Sequence, residues 1–184
     1  MRRLGVRVEG LDVTDQASVA AFSSRLADAP VDLLINNAGK GGGRTSLEAL
    51  DVAELASFFD VNSLGPMRVT QALLPNLRRG KPRIIASITS RMGSIDDNTS
   101  GGAHGYRASK CALNMLNKSL SVDLAREGFT CVVLHPGWVQ TDMGGQGAPL
   151  SVALSVKGLL RVIDGLRPTD TGRFLDFEGK AIAW

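Results

Sequence analysis

Short apolar runs alternate with segments of helical periodicity along this sequence, and this alternation restricts the fold more than any other feature. Five runs have the length and composition of β-strands, namely residues 6–11, 31–35, 83–88, 131–134 and 174–177. Three longer segments carry helical patterns, namely residues 52–77, 108–126 and 152–166. A shorter helix follows the first strand, where Val19, Phe22 and Leu26 recur at helical spacing. This order predicts an α/β fold with an open, mostly parallel sheet and helices on both faces. Because no repeat or linker divides the sequence, we expect one domain, residues 1–184.

Local signals place several ends of these helices. Thr14 can cap the first helix, and Asp15 suits its first turn because acidic side chains favour helix N-termini. The longest helical pattern is interrupted near Asn62 and again at Gly65-Pro66. Gly128 lies just beyond the helix predicted for residues 108–126, where glycine commonly ends a helix.

Charge and cysteine content exclude several classes of function. The net charge of +3 comes from 21 Lys and Arg against 18 Asp and Glu, and these residues are scattered. We therefore expect neither a nucleic-acid-binding surface nor a membrane anchor, and no apolar run approaches the ~20 residues that cross a bilayer. Cys111 and Cys131 lie in apolar segments without disulfide or metal-ligand spacing, so buried side chains and no metal site are expected. The first ten residues lack a signal-peptide core, which predicts a cytoplasmic protein.

The strongest chemical signal is a Tyr and a Lys four residues apart, Tyr106 and Lys110, within a predicted helix. Residues at this spacing project from the same helix face. A phenol with a pKa near 10 is a poor acid or base at neutral pH, and a nearby ammonium can lower that pKa. The pair can therefore serve general acid/base catalysis. The alternative is a chance pattern on a solvated helix, since two residues define it.

Polar residues also follow two predicted strands. Ser90 ends the strand at residues 83–88 and lies where the ligand crevice of an α/β sheet opens, although Ser94 is nearer to Tyr106 in sequence. The Asn36-Asn37-Ala38-Gly39 segment ends another strand, and its small residues let a cofactor approach the backbone. Asn62 interrupts a helix, where a freed carbonyl can hold a water or the amide can simply cap a break. We favour Ser90 over Ser94 because Ser90 directly ends its strand.

In their order along the chain, these features resemble the short-chain dehydrogenase/reductase family. The resemblance rests on the Asn-Asn-Ala-Gly segment, the downstream Asn62, the strand-end Ser90, the Tyr106–Lys110 pair and the Pro136-Gly137-Trp138-Val139-Gln140-Thr141 turn. The stretches around Ser90 and Tyr106 and the chain's last residues further resemble the C-factor or sniffer-like carbonyl reductase branch. This resemblance implies a Rossmann-like, doubly wound parallel sheet.

The resemblance also implies a reaction and a set of site residues. NADP or NAD would exchange a hydride with a small carbonyl or secondary alcohol. The implied catalytic residues are Tyr106 as proton donor and acceptor, Ser90 to orient the substrate oxygen, Lys110 to lower the Tyr106 pKa and bind ribose, and Asn62 to hold a relay water. The implied cofactor-binding residues are Asp12, Val13, Asn37, Ala38, Gly39, Tyr106, Lys110, Pro136, Gly137, Val139 and Thr141. A homo-oligomer is implied through the helices at residues 52–77 and 108–126.

One part of the family pattern is not found in this sequence, the glycine-rich T-G-x-x-x-G-x-G turn that binds the cofactor pyrophosphate. By order of motifs, the sequence starts in the family's third strand, so we expect a sheet that lacks strands 1 and 2. The strand at residues 6–11 would then have no neighbour, and that at residues 31–35 would be an apolar edge. We expect a gene that begins upstream of Met1, a fragment, or a partner that completes the sheet.

The missing turn motivates a second hypothesis, a signalling or interaction protein that keeps the reductase scaffold without binding cofactor. Losing two or three hydrogen bonds to a charged group, each worth roughly 1.5–3 kcal/mol, weakens binding on the order of a thousandfold. NAD and NADP preference is read mainly at the end of the family's second strand. The sequence therefore leaves both the cofactor preference and the substrate open.

Overall fold

Four parallel strands form a single sheet in the order β1-β2-β3-β4 in the computed structural model, which describes residues 5–184. The strands are β1 (Leu33–Asn36), β2 (Ile84–Ile88), β3 (Thr130–His135) and β4 (Phe174–Asp176). The helices are α1 (Gln16–Leu26), α2 (Val52–Phe59), α3 (Gly65–Arg79), α4 (His104–Asp123) and α5 (Val152–Asp164). The strands predicted at residues 31–35, 83–88, 131–134 and 174–177 are confirmed within one or two residues at each end.

Two apolar clusters on opposite faces of the sheet show that it is doubly wound, as predicted. On one face, Ile85 and Cys131 pack with α1, α3 and the end of α4, through buried residues that include Leu73 and Leu77. On the other face, β-strand side chains such as Val132 pack against α5. Neighbouring residues of each strand point to opposite faces, so strands covered by helices on both faces need the nearly continuous apolar sequence seen here.

The helical pattern predicted over residues 52–77 is one continuous rod with a widened turn in its middle. Asp51 caps α2 by accepting hydrogen bonds from the Ala53 and Glu54 amides. Residues Asp60–Leu64 form a π-helical turn, and the Gly65 amide donates to the Asp60 carbonyl five residues earlier. Single π turns of this kind occur frequently at functional sites. The predicted interruption near Asn62 is therefore a change of helical register, and the helix continues from α2 through the π turn into α3.

Helix α4 begins earlier than predicted, at His104 and not at residue 108. Gly101, Gly102 and Ala103 all adopt positive φ angles, which end the preceding loop abruptly and start the helix at once. The helix ends at Asp123 and is followed by a short 3₁₀ turn, Ala125–Glu127. Gly128 comes directly after this turn with a φ of 78°, the left-handed conformation common just beyond a helix end, as predicted. As a result, Tyr106 lies in the first turn of α4.

Two predictions near the start of the chain are wrong. Residues 6–11 form no strand and pair with none among residues 5–184, and Val6 and Val8 are each 58% exposed. A strand needs a neighbour to accept and donate its ladder hydrogen bonds, and here none lies beside it, as the motif order indicated. The cap of α1 is Asp15, which accepts from the Ala17 amide, because Thr14 uses its hydroxyl on Asp12.

Strand β1 forms one edge of the sheet, which confirms the apolar edge predicted at residues 31–35. It pairs only with β2 among the described residues, and Ile35 is 40% exposed.

None of the helices between residues 5 and 184 combines the length and apolarity that a membrane-spanning helix requires.

Candidate active site

The Tyr106 and Lys110 side chains lie on the same buried face of α4, beside the carboxyl end of β2. The Lys110 Nζ is 5.9 Å from the centre of the Tyr106 ring. It donates a 2.9 Å hydrogen bond to the carbonyl oxygen of Ile88, and Lys110 is only 4% exposed. The predicted pairing of these two residues on one helix face is therefore present in the structure, and the face points into the sheet end and not into solvent.

Burial governs the protonation of both groups. It lowers the pKa of Lys110 from 10.5 to about 8, because the ammonium loses solvation. Burial also raises the pKa of Tyr106, and a hydrogen bond with Ser90 opposes that rise. The expected lowering of the Tyr106 pKa by Lys110 is therefore not what this structure gives. Lys110 directs its ammonium to the Ile88 carbonyl, and desolvation of the phenol outweighs any attraction between the two side chains.

Ser90 and Ser94 differ in what their hydroxyls already bind. The Ser90 Oγ accepts a hydrogen bond from the Met92 amide and caps the short 3₁₀ turn Arg91–Gly93. Ser94 is 2% exposed, and its Oγ donates to the Trp184 carbonyl and accepts from the Asp97 amide. Ser90 is the serine whose hydroxyl acts on the pKa of Tyr106, whereas Ser94 anchors the loop to the last residue of the chain.

Asn62, from the π turn, is completely buried and uses its whole side-chain amide within the protein. Its Oδ1 accepts from the Lys40 amide at 2.7 Å, and its Nδ2 donates to the Lys40 carbonyl at 3.0 Å. The same Nδ2 donates to the Ser109 Oγ at 2.9 Å. The side chain therefore joins the segment that follows β1 to α4, and only the main chain of Asn62 is left to hold a water.

The segment after β1 presents backbone to the same region. Asn37, Ala38 and Gly39 are all exposed. A Cβ atom added to Gly39 would lie 3.5 Å from the Asn62 Oδ1 and 3.6 Å from the Lys110 Nζ. Gly39 is thus the point at which this segment meets the buried ammonium. The buried Asn36 binds Thr70 and Ser87 and holds the strand end in place.

Val13 lies against the N-terminal end of α3, and Asp12 precedes it in the same loop. The Asp12 Oδ1 accepts from the Thr14 amide and hydroxyl, which lowers the pKa of its exposed carboxyl. The Val13 carbonyl accepts from Arg68, and its side chain lies against Gly65, where an added Cβ would meet the Val13 Cγ2 at 2.8 Å. These contacts fix Val13 against the N-terminal end of α3, whereas Asp12 is held by Thr14 and by Ser18 of α1.

The turn after β3 brings Pro136, Gly137, Val139 and Thr141 to the carboxyl end of the sheet. The Pro136 carbonyl accepts from the Ser155 hydroxyl at 2.6 Å, and Gly137 has a φ of 85°. Val139 pairs with Leu150 in an isolated bridge, and the Thr141 Oγ1 accepts from the Gly144 amide.

The loop after this turn reaches across toward the segment that follows β1. An added Cβ on Gly41 would meet the Met143 Cγ at 2.5 Å, so the two segments touch. Trp138, in the turn before this loop, is 59% exposed, and its indole donates to the Gly144 carbonyl.

Several residues that hold this site together were not predicted. Gly93 packs against α4, where an added Cβ would lie 2.8 Å from the Lys110 carbonyl carbon. The His135 Nδ1 accepts from the Arg91 amide, next to Ser90, and burial lowers the pKa of His135 to about 4. A glycine three residues after the strand-end serine and a histidine ending the next strand were the available sequence signals.

A cavity of about 310 Å³ lies between the loop that follows Ser90 and the first turns of α4. Its lining includes His104, Arg107 and Cys111 and does not include Tyr106 or Ser90. Cys111 is only half-buried there, in contrast to the expected burial, whereas Cys131 is fully buried and its thiol pKa is raised to about 12. Among the described residues, no group of three or more His, Cys, Asp or Glu side chains is placed to hold a metal.

The fold and this arrangement define a class of protein, and sequence comparison identifies it. The sequence model of the short chain dehydrogenase family matches residues 4–149. The chain belongs to this family.

Comparison with individual relatives identifies the branch of the family to which the chain is most similar. It is 55% identical over 164 residues to the protein named C-signal of Myxococcus xanthus, covering 89% of this chain and 99% of that protein. The structure of the carbonyl reductase Sniffer of D. melanogaster superposes with a TM-score of 0.91 at 33% identity, covering 97% of this chain and 78% of that one. An NADPH-bound carbonyl reductase from chicken fatty liver gives 0.88 at 38% identity, covering 95% and 75%. The expected C-factor or sniffer-like branch is confirmed.

Proposed function

We propose that this protein is an NAD(P)-dependent oxidoreductase that interconverts small carbonyl compounds and secondary alcohols. The observation that carries the proposal is the pair of the half-buried Tyr106 and the buried Lys110 beside Ser90 at the carboxyl end of β2. A lysine and a tyrosine whose pKa values burial perturbs, placed together at a sheet end, are characteristic of an acid/base site. Membership of the short chain dehydrogenase family supports the same reaction type.

The residues present fit the nicotinamide half of such a cofactor. The Lys110 ammonium has three N–H donors, and within the described residues the Ile88 carbonyl accepts from it, which leaves donors for ribose hydroxyls. Gly39 has no side chain that would cover that ammonium. We propose that the cofactor is held by the residues that line these sheet ends, namely Asp12, Val13, Asn37, Ala38, Gly39, Tyr106, Lys110, Pro136, Gly137, Val139 and Thr141. The chicken carbonyl reductase is bound to NADPH, which supports the class of cofactor.

When bound, the nicotinamide would supply the hydride for the carbonyl carbon, and residues of the protein would give and take the proton. Tyr106 donates its hydroxyl proton to the substrate oxygen in reduction and takes it back in oxidation. Ser90 orients that oxygen by a hydrogen bond, as its present contact with Tyr106 allows. In the free protein, desolvation of the phenol outweighs its attraction to Lys110. With cofactor in place, the Lys110 ammonium would favour the phenolate that Tyr106 leaves behind. The main-chain carbonyl of Asn62 holds a water through which the proton is replaced.

A second candidate is a signalling protein that uses this scaffold without catalysis. Its specific support is the identity of 55% with C-signal over nearly all of that protein. The two candidates differ in one measurable property, which is whether the chain binds a nicotinamide cofactor. Calorimetric titration with NADPH and NADH separates them, because micromolar binding would contradict the non-catalytic candidate.

The proposed reaction is tested by following NADPH and NADH oxidation with a panel of aldehydes and ketones, in the parent and in Tyr106→Phe. The variant should lose on the order of 100-fold or more of kcat, because general acid catalysis contributes about that much, while cofactor affinity stays the same. Ser24→Ala, on the exposed side of α1, is the control, because it also removes one hydroxyl but lies outside the site. Activity in Tyr106→Phe equal to that of the control would refute the mechanism.

We propose further that the protein forms a homo-oligomer through α2, α3 and the outer face of α4. Met115 and Val122 are each 66% exposed on α4, and Leu64 at the π turn is 45% exposed. Light scattering should give a mass at least double that of the 19.5 kDa chain, and a monomer would contradict this.

A cytoplasmic location is proposed because neither cysteine among the described residues is in a disulfide.

A further inference from the structure

Ser109, between Tyr106 and Lys110, makes contacts that connect the reactive turn of α4 to the rest of the site. It is completely buried. Its Oγ accepts from the Asn62 Nδ2 at 2.9 Å and donates to the Tyr106 carbonyl at 2.9 Å. Its own carbonyl accepts from the Ser63 Oγ at 2.7 Å. Hydrogen bonds on both its side chain and its main chain thus bind this single residue to the π turn.

The π turn explains why two consecutive residues, Asn62 and Ser63, both reach Ser109. In an α-helix, neighbouring residues point in directions well apart, and side chains that share a face are three or four positions apart. The widened turn at Asp60–Leu64 changes that register, as the bond from the Gly65 amide to the Asp60 carbonyl shows. Both side chains are completely or almost completely buried against α4. The irregular turn therefore has a specific partner, which is Ser109.

The contact also reaches the segment after β1. The same Asn62 amide that donates to Ser109 binds both the amide and the carbonyl of Lys40. Lys40 follows Gly39, where an added Cβ would lie 3.6 Å from the Lys110 ammonium nitrogen. One buried amide and one buried hydroxyl thus join the helix that carries Tyr106 and Lys110 to the segment proposed to contact the cofactor.

We propose that Ser109 is a positioning residue for the reaction, which sets Tyr106 and Lys110 against Ser90 and Gly39 without touching substrate or cofactor. This inference rests on the proposed function for its kinetic consequences. A misplacement of about 1 Å caused away from the reacting atoms can cost on the order of 100-fold in rate. Ser109→Ala should therefore lower kcat by about 10- to 100-fold, with KM for the carbonyl substrate changed by less than about threefold.

The matched control is Ser121→Ala, in the same helix. Ser121 is also buried, and its Oγ donates to the carbonyl three residues earlier, as that of Ser109 does. Ser121 is remote from the π turn, so its replacement removes the same local bond without the connection to Asn62. It should leave kcat and KM within about twofold of the parent, since one neutral hydrogen bond lost outside the site affects stability and not the chemistry. Comparing the two variants separates positioning from helix stability.

A second readout does not need catalysis, because Tyr106 is the only tyrosine in the sequence. Phenolate absorbance then reports the pKa of this one group, which burial raises in the parent. Ser109→Ala should move that pKa toward its ordinary value near 10, because a loosened turn gives the phenol more water. Ser121→Ala should titrate like the parent. A parent chain without reductase activity would refute the proposed function but still allow this test.

The proposal is overturned if Ser109→Ala matches Ser121→Ala in both kcat and the Tyr106 titration. Should Ser109→Ala fail to fold, Ser63→Ala takes its place, because it removes only the bond to the Ser109 carbonyl. That variant should shift both readouts in the same direction as expected for Ser109→Ala. Parent-like values in Ser63→Ala would then refute the positioning role.

Discussion

The Lys110 ammonium donates a 2.9 Å hydrogen bond to the carbonyl oxygen of Ile88, the last residue of β2. This contact joins α4 to the sheet at the point where Ser90 begins the next turn. It also keeps a charged group in a place where it is only 4% exposed, so the pKa of Lys110 falls to about 8. The site therefore retains a cation that destabilises the folded state, which is expected where a charge serves chemistry.

Replacement of Lys110 by Met should stabilise the protein while removing activity. The change in pKa from 10.5 to about 8 corresponds to at most about 3 kcal/mol, because one pKa unit is about 1.4 kcal/mol. Loss of the bond to Ile88 offsets about 1 kcal/mol of this gain. Urea unfolding at pH 7 should therefore show Lys110→Met about 1–2 kcal/mol more stable than the parent.

The pH dependence of that difference gives a second check. The lowered pKa means that the folded state releases its proton near pH 8, whereas the unfolded state holds it to about 10.5. The destabilisation by Lys110 is thus complete below pH 8 and is relieved as the pH rises toward 10.5. The advantage of the Met variant should shrink over this range. An equal difference at pH 7 and pH 10 would contradict the assigned pKa.

Gly93→Ala should displace Ser90 from Tyr106. An added Cβ would lie 2.8 Å from the Lys110 carbonyl carbon, and backbone in a buried helix cannot move aside cheaply. We expect a loss of about 1–3 kcal/mol in the free energy of unfolding and a fall in kcat of at least about tenfold. Gly43→Ala is the control, since an added Cβ there meets nothing within 4 Å. Kinetics and unfolding equal in the two variants would argue against close packing of this turn.

His135 should make the protein sensitive to acid. Its Nδ1 accepts from the Arg91 amide, and burial with help from Arg91 lowers its pKa from 6.5 to about 4. The unfolded state therefore takes up a proton first as the pH falls from 6.5 to 4, and stability is lost over that window. The loss is on the order of 3 kcal/mol at most. Thermal unfolding of His135→Gln, which cannot titrate, should show a shallower loss, and parallel curves would contradict this prediction.

Much of the architecture followed from local sequence patterns. The apolar runs at Ile84–Ile88 and Thr130–His135 are buried on both faces of the sheet. Strands of this kind can be predicted from their nearly continuous apolar composition. The shared face of Tyr106 and Lys110 follows from helical periodicity alone. The interruption near Asn62 was also visible, because a helical pattern cannot pass Gly65-Pro66 unchanged.

Features that depend on distant partners were not predicted. The prediction of a strand at residues 6–11 was wrong because a strand forms only beside a neighbouring strand, which the sequence of the segment itself does not specify. The role of Ser109 depends on the register of a π turn more than forty residues earlier, which no local pattern encodes. The start of α4 at His104 was missed because positive φ angles at Gly101, Gly102 and Ala103 end the loop more abruptly than a glycine pair alone suggests.

The central claim, that Tyr106 is the group that exchanges a proton with substrate, is tested most directly by titrating that single phenol with and without cofactor. Phenolate absorbance of the parent should show a pKa above 10 alone and a clearly lower one with saturating oxidised NADP, since a usable acid must titrate nearer to working pH. Lys110→Met should abolish the shift. A Tyr106 pKa that stays above 10 with cofactor, alike in the parent and in Lys110→Met, would contradict the account.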